Sequence, residues 1–67
     1  MKLKLVYLDC FETEFKNKKY CVYRFLDPNS LNVITGTDLN LKFEPYTSYN
    51  CVIEFKSNKL KVTSIVQ

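Results

Sequence analysis

Residues 2–15 read KLKLVYLDCFETEF, and the apolar side chains of this stretch change their alternation along its length. They occupy first odd, then even, then odd positions: Leu3 and Leu5, then Val6, Leu8 and Cys10, then Phe11 and Phe15. Side chains on a strand alternate between two faces, so a strand that changes phase contains a bulge or a bend. Such a strand can serve two sides of a closed sheet, which predicts a small β barrel. Tyr7 lies where the even positions face inward, so we expect it to be exposed.

The rest of the chain shows the same alternation, with β-branched and aromatic residues dominant and no amphipathic helical pattern. A short extended segment covers residues 39–44 and ends at Pro45, because proline cannot donate to a ladder. Turns are predicted at residues 17–18, 28–30 and 57–58, with Asn17, Asn29 and Asn58 at the positive-φ positions. The predicted strands cover residues 2–15, 20–27, 31–37, 49–56 and 59–66.

A long first strand followed by four shorter ones predicts one all-β domain over residues 1–67, a small five-stranded OB-type barrel. An SH3-like barrel is the alternative. A chain of 67 residues buries only about 60% of its unfolded surface, so its apolar residues are needed in a single core. Because a catalytic cavity is hard to form in so small a core, shallow surface binding is the expected mode of action.

Sequence signals for catalysis, metal binding and export are absent. The chain has no histidine, no glycine-rich phosphate loop and no nucleophile beside a plausible activator, so we expect neither enzyme activity nor a cofactor. The cysteines Cys10, Cys21 and Cys51 show no C-x-x-C spacing, which predicts three buried, reduced thiols rather than a zinc site. The first apolar run ends at Asp9, too early for a signal peptide, and no run approaches a membrane span. A cytoplasmic protein is expected.

The basic residues concentrate in two predicted hairpins. The net charge of the chain is +3, whereas residues 25–55 carry a net charge of −3. The hairpins hold seven of the ten basic residues: Lys16, Lys18, Lys19 and Arg24 in the first, and Lys56, Lys59 and Lys61 in the second. In an OB barrel the corresponding two connections flank the face that binds oligonucleotides. The charge pattern therefore favours a nucleic-acid binder, although charged turns also occur simply because they are solvated.

The register of the first hairpin decides which aromatic rings face solvent. A loop of two or four residues places Phe11, Phe15 and Tyr20 on one face with Arg24, whereas a three-residue loop moves every neighbour to the other face. We favour the three-residue loop, because it keeps acids and bases outside together and buries no charge. Its inward face would hold Phe11, Phe15, Cys21, Tyr23 and Phe25.

Tyr20 and Arg24 share the outer face in either register, since side chains two apart on a strand point the same way. A tyrosine ring and a guanidinium can both stack on a nucleobase, and lysines neutralise phosphates. Tyr46 and Tyr49, which flank a loop, are further stacking candidates, although packing against the open end of the barrel is slightly favoured for them.

The stretches FETEFKNKKYCVYRFLD, NVITGTDL and CVIEFKSNKLKVTSI resemble small all-β proteins of Gram-positive phages and mobile elements. In layout they are similar to compact OB-fold single-stranded DNA-binding proteins. The resemblance covers most of the chain and rests on strand rhythm, hairpin charge and size. It implies a cytoplasmic, non-enzymatic binder of single-stranded DNA, with RNA left open, a homodimer as one option and no membrane partner. The alternative is a protein–protein interaction module of a phage or mobile element.

Overall fold

The chain forms five β-strands, which the computed structural model describes within residues 1–66. They are β1 (Lys2–Phe15), β2 (Lys18–Leu26), β3 (Val33–Thr37), β4 (Ser48–Lys56) and β5 (Lys59–Val66). β1 and β5 have the predicted bounds, whereas β2 begins two residues earlier and β3 two residues later than predicted. Gln67, the last residue of the predicted domain, lies outside the described residues.

The strands close into a barrel in the order β1-β2-β3-β5-β4, with β4 pairing back onto β1. The β3–β5 contact is parallel, and the other four contacts among the described strands are antiparallel. This closed five-stranded sheet is the predicted OB-type barrel. The parallel contact is short, because only Thr35 with Lys61 and Gly36 with Val62 pair along it.

Gly36 permits this closure. A Cβ atom at Gly36 would lie 2.6 Å from the carbonyl oxygen of Val62 and 3.2 Å from the side chain of Leu39. Its φ is not positive, so the close approach of β5, rather than an unusual backbone conformation, requires the glycine.

The core is apolar and is filled from every strand. A side chain from the segment that follows β3 also packs on the core: the Phe43 ring centroid lies 5.0 Å from those of Tyr7 and Tyr49. The segment over 39–44, predicted to be extended, is not paired as a strand, and its Leu39 and Phe43 side chains pack against the core. The buried residues are Leu5, Tyr7, Phe25, Ile34, Cys51, Ile53 and Val62.

The bulge in β1 lies at Leu8, which the pairing with β2 skips. Leu3, Leu5 and Tyr7 therefore keep one phase through the barrel, and Tyr7 is buried. The prediction that Tyr7 is exposed is wrong, and Val6 and Leu8 are half-buried rather than inward. Burial raises the pKa of the Tyr7 hydroxyl far above its usual value, so the phenol stays neutral.

Beyond Leu8, strands β1 and β2 continue as a hairpin, residues 9–24, which we call the arm and with which β3 pairs only at residues 22–24. β3 ends at Thr37, beside Val22, so it does not cover the outer part of the arm. The turn of the arm consists of Lys16 and Asn17, whose φ angles are 51° and 65°. Positive φ at both residues is typical of a type I′ turn, whose twist matches that of the strands.

The two-residue turn contradicts the three-residue register that we favoured, and it lies one residue before the predicted 17–18. Avoiding charge burial could not select the register, because residues 9–19 of the arm are exposed on both of its faces. Phe11 and Phe15 are accordingly exposed instead of inward. The thiols of Cys10 and Cys21 are exposed as well, so only Cys51 meets the expectation of a buried cysteine.

The two other turns differ in how well their residues were predicted. Asn58 has a φ of 64°, as expected, whereas Asn29 is not among the positive-φ residues and Leu31, with a φ of 62°, is. The Asp27 carboxylate shapes that turn, because it accepts hydrogen bonds from the amide of Asn29 at 2.9 Å and the hydroxyl of Ser30 at 3.0 Å. These bonds lower the pKa of Asp27.

Candidate nucleic-acid interface

The outer face of the arm carries exposed aromatic rings. Phe11 lies opposite Val22, Thr13 opposite Tyr20, and Phe15 beside the turn. Phe11 is 49% exposed and Phe15 is 63% exposed, whereas Tyr20 is half-buried. These three rings lie on the same face of the arm, and we call them the aromatic strip (Phe11, Phe15 and Tyr20).

Two lysines border the aromatic strip at the turn. The Nζ of Lys16 lies 5.4 Å from the centroid of the Phe15 ring, a cation–π distance. Lys18 stands directly opposite Phe15 on the same face. Lys19 lies on the other face, opposite Glu14. The arm thus presents rings and uncompensated positive charge on one side only.

Arg24 stands at the base of the aromatic strip, but it is engaged. Its Nε donates to Oδ1 of Asp9 at 2.6 Å, and its Nη2 donates to Oδ2 of the same carboxylate. This fork-like pairing lowers the pKa of Asp9 and raises the pKa of Arg24. Both side chains are close to half exposed, so solvent screens the pair. The guanidinium is therefore held in place rather than free to stack.

The second basic hairpin joins β4 and β5 at Ser57 and Asn58, whose φ angles are both positive. Lys56 and Lys59 face each other directly across this hairpin, and Lys61 lies opposite Glu54. Like charges directly opposite each other on a sheet are destabilising. None of these three lysines forms an ion pair with another residue in the range 1–66. Nearby acids therefore offset less of the positive charge in the second hairpin than in the first.

The two basic turns lie at opposite ends of the outer face formed by β2, β3 and β5. β2 starts at the turn of the arm and ends at Leu26, beside Val33 at the start of β3. β5 runs parallel to β3 and starts at the second turn, so that turn lies at the Leu26 end. A strand bound across this face would have one basic turn on each side, as the OB prediction requires.

The predicted site residues therefore separate into groups. Tyr46 is 80% exposed on the loop before β4, where its amide donates to the carbonyl of Tyr7 at 2.7 Å. The Tyr49 ring packs on Phe43, and its hydroxyl accepts a hydrogen bond from the amide of Glu44 at 2.9 Å, so packing accounts for it. The outer face of the arm brings together Lys16, Lys18 and Tyr20. The second hairpin carries Lys56, Lys59 and Lys61, and Arg24 lies between the two groups.

Phe11 and Phe15 are the residues that the predicted site omits. The sequence does indicate these two residues, because a loop of two or four residues places the Phe11 and Phe15 rings on the same face as Tyr20 and Arg24. The three-residue register is favoured because it buries no charge, and that reason applies only if one face of the hairpin is buried. In the arm this condition does not hold, and the rings that we expected in the core belong to the surface.

Within residues 1–66 no cluster of three or more His, Cys, Asp or Glu side chains could hold a metal ion. The described part of the chain also contains no helix that could span a membrane. Fold and surface together define a small OB-type β barrel with a basic, aromatic outer face. Comparisons with protein-family models, curated proteins and solved structures find no match to this chain.

Proposed function

We propose that the protein is a non-enzymatic binder of single-stranded nucleic acid, with single-stranded DNA as the first ligand to test. The observation that supports this function best is the aromatic strip of the arm, with Lys16 and Lys18 beside it. Base–aromatic stacking contributes about 1–3 kcal/mol per base and tolerates any base, because every base has a π-face. Duplex DNA keeps its bases stacked on each other, so rings exposed on the arm favour an unpaired strand.

The charges of the outer face support the same function. The lysines beside Phe15 can neutralise phosphates of a strand whose bases stack on the rings, and the second hairpin adds three more lysines at the far end of the face. Each phosphate that is neutralised should add about −0.7 to the slope of log K against log salt for a single strand.

We place the protein in the cytoplasm, where exposed thiols such as Cys10 and Cys21 remain reduced.

Fluorescence anisotropy with labelled oligonucleotides, at low and at moderate salt, tests the function. Lys18→Gln and Lys19→Gln form a matched pair, because these neighbours lie on opposite faces of the arm. We expect Lys18→Gln to weaken binding and flatten the salt slope, and Lys19→Gln to leave both close to wild type. Absence of binding at tens of micromolar protein would reject the function, and equal losses in the two variants would reject the outer face as its site.

A protein–protein interaction module of a phage or mobile element is the second candidate function. A different observation favours it: an apolar cavity of about 540 Å³ lies beside the start of β3, lined in part by Val33, Phe55 and Leu60. Phe55 is 68% exposed there. Light scattering and a pull-down after nuclease treatment distinguish the candidates, since a second copy or another protein bound there would survive nuclease and moderate salt.

A further inference from the structure

The seam between β3 and β5 opens after two residue pairs. Beyond Gly36 and Val62 the strands separate, and a cavity of about 220 Å³ lies between them. A bulge in the β4–β5 pairing contributes to this opening, because the register shifts where β5 passes Thr63. The residue that a bulge adds stays outside the ladder, so Thr63 is displaced from regular pairing. The cavity is lined by Thr37, Lys56, Lys61, Val62 and Thr63.

The lining side chains have the chemistry of an anion site. Two lysines and two threonines are among the five lining residues, and none of the lining residues carries a carboxylate. Thr63 donates its hydroxyl hydrogen to the carbonyl of Val52 at 3.4 Å, which is long for such a bond, so this donor can be exchanged for a better acceptor. A volume of about 220 Å³ has room for one phosphate group with a few waters, since a water occupies about 30 Å³ of liquid.

The charges around the cavity favour an anion. Lys56 faces Lys59 directly, and such a like-charge pair is destabilising unless a counter-charge lies nearby. Glu54 stands opposite Lys61, but it forms no ion pair with any residue of the described chain. An anion in the cavity would lie beside Lys56 and Lys61 and would reduce the repulsion between Lys56 and Lys59, since Glu54 stands opposite Lys61 instead.

We propose that this cavity is a phosphate site, which holds one phosphate group of the bound strand. The inference rests on the proposed function and adds to it a specific contact at the β3–β5 seam. Thr37 pairs with Val22, which pairs with Phe11, so two strand spacings, about 10 Å, connect the aromatic strip to the cavity. A base on Phe11 and a phosphate in the cavity can therefore belong to neighbouring parts of one strand.

An NMR titration with inorganic phosphate tests the site without any oligonucleotide. Phosphate should shift the amide signals of Thr37, Lys61 and Thr63 in a saturable way, and chloride at the same ionic strength should not. The Thr37→Val variant removes a hydroxyl from an exposed position while keeping the side-chain shape, and it should weaken the titration. Phosphate that shifts only signals elsewhere, or shifts these signals as chloride does, would overturn the proposal.

Oligonucleotide binding separates a phosphodiester from a terminal phosphate as the source of the group. We expect Lys61→Gln to lower affinity about tenfold, as the loss of a charged hydrogen bond would, whereas Lys42→Gln on the loop should match wild type. If a 5′-phosphate strengthens binding and Lys61→Gln removes the gain, the cavity takes a terminal phosphate. If the 5′-phosphate has no effect and Lys61→Gln weakens both oligonucleotides equally, it takes a phosphodiester.

These two assays fail separately. Oligonucleotide binding that persists unchanged in Lys61→Gln would reject the phosphate site and leave the proposed function standing. A phosphate titration that succeeds while no oligonucleotide binds would reject the proposed function and leave the site standing. Circular dichroism of each variant confirms that a lost signal does not come from unfolding.

Discussion

The barrel and the arm are built from the same two strands, yet their aromatic residues have opposite environments. In the barrel, Tyr7 of β1 and Phe25 of β2 are buried, whereas further along the same strands Phe11 and Phe15 face solvent. Tyr7, Phe11 and Phe15 are all odd-numbered, so an unbroken period-two pattern would place them on one face. The difference arises at the bulge at Leu8: Tyr7 pairs with Phe25 on the inner face, whereas beyond the bulge Phe11 pairs with Val22 and Phe15 with Lys18 on the outer face. The face of each ring is therefore decided by the position of a bulge, which the alternation of one strand does not locate.

The arm must be held together by local contacts. An isolated two-stranded hairpin is at best marginally stable in water, because it has no face to bury. The type I′ turn at Lys16 and Asn17, the cross-strand pairs and the Arg24–Asp9 ion pair are the contacts available to it. An element of this kind contributes little to the stability of the fold, so its apolar residues are free to serve binding.

The largest predicted effect follows from exchanging a phenylalanine for alanine in each region. Phe25→Ala removes a fully buried ring and should lower the free energy of unfolding by about 3–5 kcal/mol. That loss approaches the whole stability expected for a chain of this length, about 3–10 kcal/mol. Phe15→Ala on the arm should change the free energy of unfolding by less than about 0.5 kcal/mol, as is usual for surface positions. Urea denaturation followed by circular dichroism measures both changes.

Phe25→Leu serves as a milder control if Phe25→Ala is unfolded without urea. The comparison of barrel and arm would be wrong if Phe15→Ala destabilised the protein as much as a core variant does. The arm would then pack against something that its exposure does not indicate.

Thiol labelling probes the same contrast without changing the core. Cys10 and Cys21 lie on the arm and are exposed, whereas Cys51 lies in the barrel, where burial raises the pKa of its thiol to about 11. Only the thiolate reacts, so this shift alone should slow the labelling of Cys51 about a hundredfold at pH 8 relative to an ordinary thiol. We expect two fast reactions and one slow one with a chromogenic disulfide. A Cys10→Ser, Cys21→Ser double variant should retain the slow reaction alone, and three fast reactions would contradict the burial of Cys51.

Gly36→Ala tests how the barrel closes. The added Cβ would lie 2.6 Å from the carbonyl oxygen of Val62, and backbone must move to relieve that contact. We expect a loss of about 1–3 kcal/mol in the free energy of unfolding, the usual effect of overpacking. Ser57→Gly, at a positive-φ turn position of the second hairpin, is a control that should not destabilise. Unchanged stability in Gly36→Ala would mean that the β3–β5 contact does not hold the barrel together.

The sequence predicts the strands and the barrel well, because alternation, turn residues and Pro45 are local signals. It also predicts that basic turns border the outer face. The predictions for Tyr7 and Phe11 are wrong, because the position of the bulge and the length of the loop decide which face each ring takes. The bulge position or the loop length can change by one residue without altering the apolar pattern of the sequence. The β3–β5 cavity could not be predicted at all. Thr37 and Thr63 are ordinary strand residues in sequence, and only the short parallel contact brings them together.

The smallest predicted effect concerns the ion pair at the base of the arm. The pKa of Asp9 is lowered through its hydrogen bond with Arg24, so its contribution to stability is present above pH 4 and is lost as the pH falls below that value. In Asp9→Asn this small loss should disappear, and the acid limb of the stability profile should become flatter. Asp27→Asn is a matched control, because backbone and hydroxyl groups of its own turn lower the pKa of Asp27. High salt should therefore reduce the effect of Asp9 more than that of Asp27.

The Asp9→Asn substitution also releases the guanidinium of Arg24 onto the outer face. We therefore expect Asp9→Asn to bind oligonucleotides about two- to threefold more tightly at low salt and with a steeper salt dependence. Weaker binding by Asp9→Asn would show that the oriented guanidinium, rather than its free charge, serves the interface.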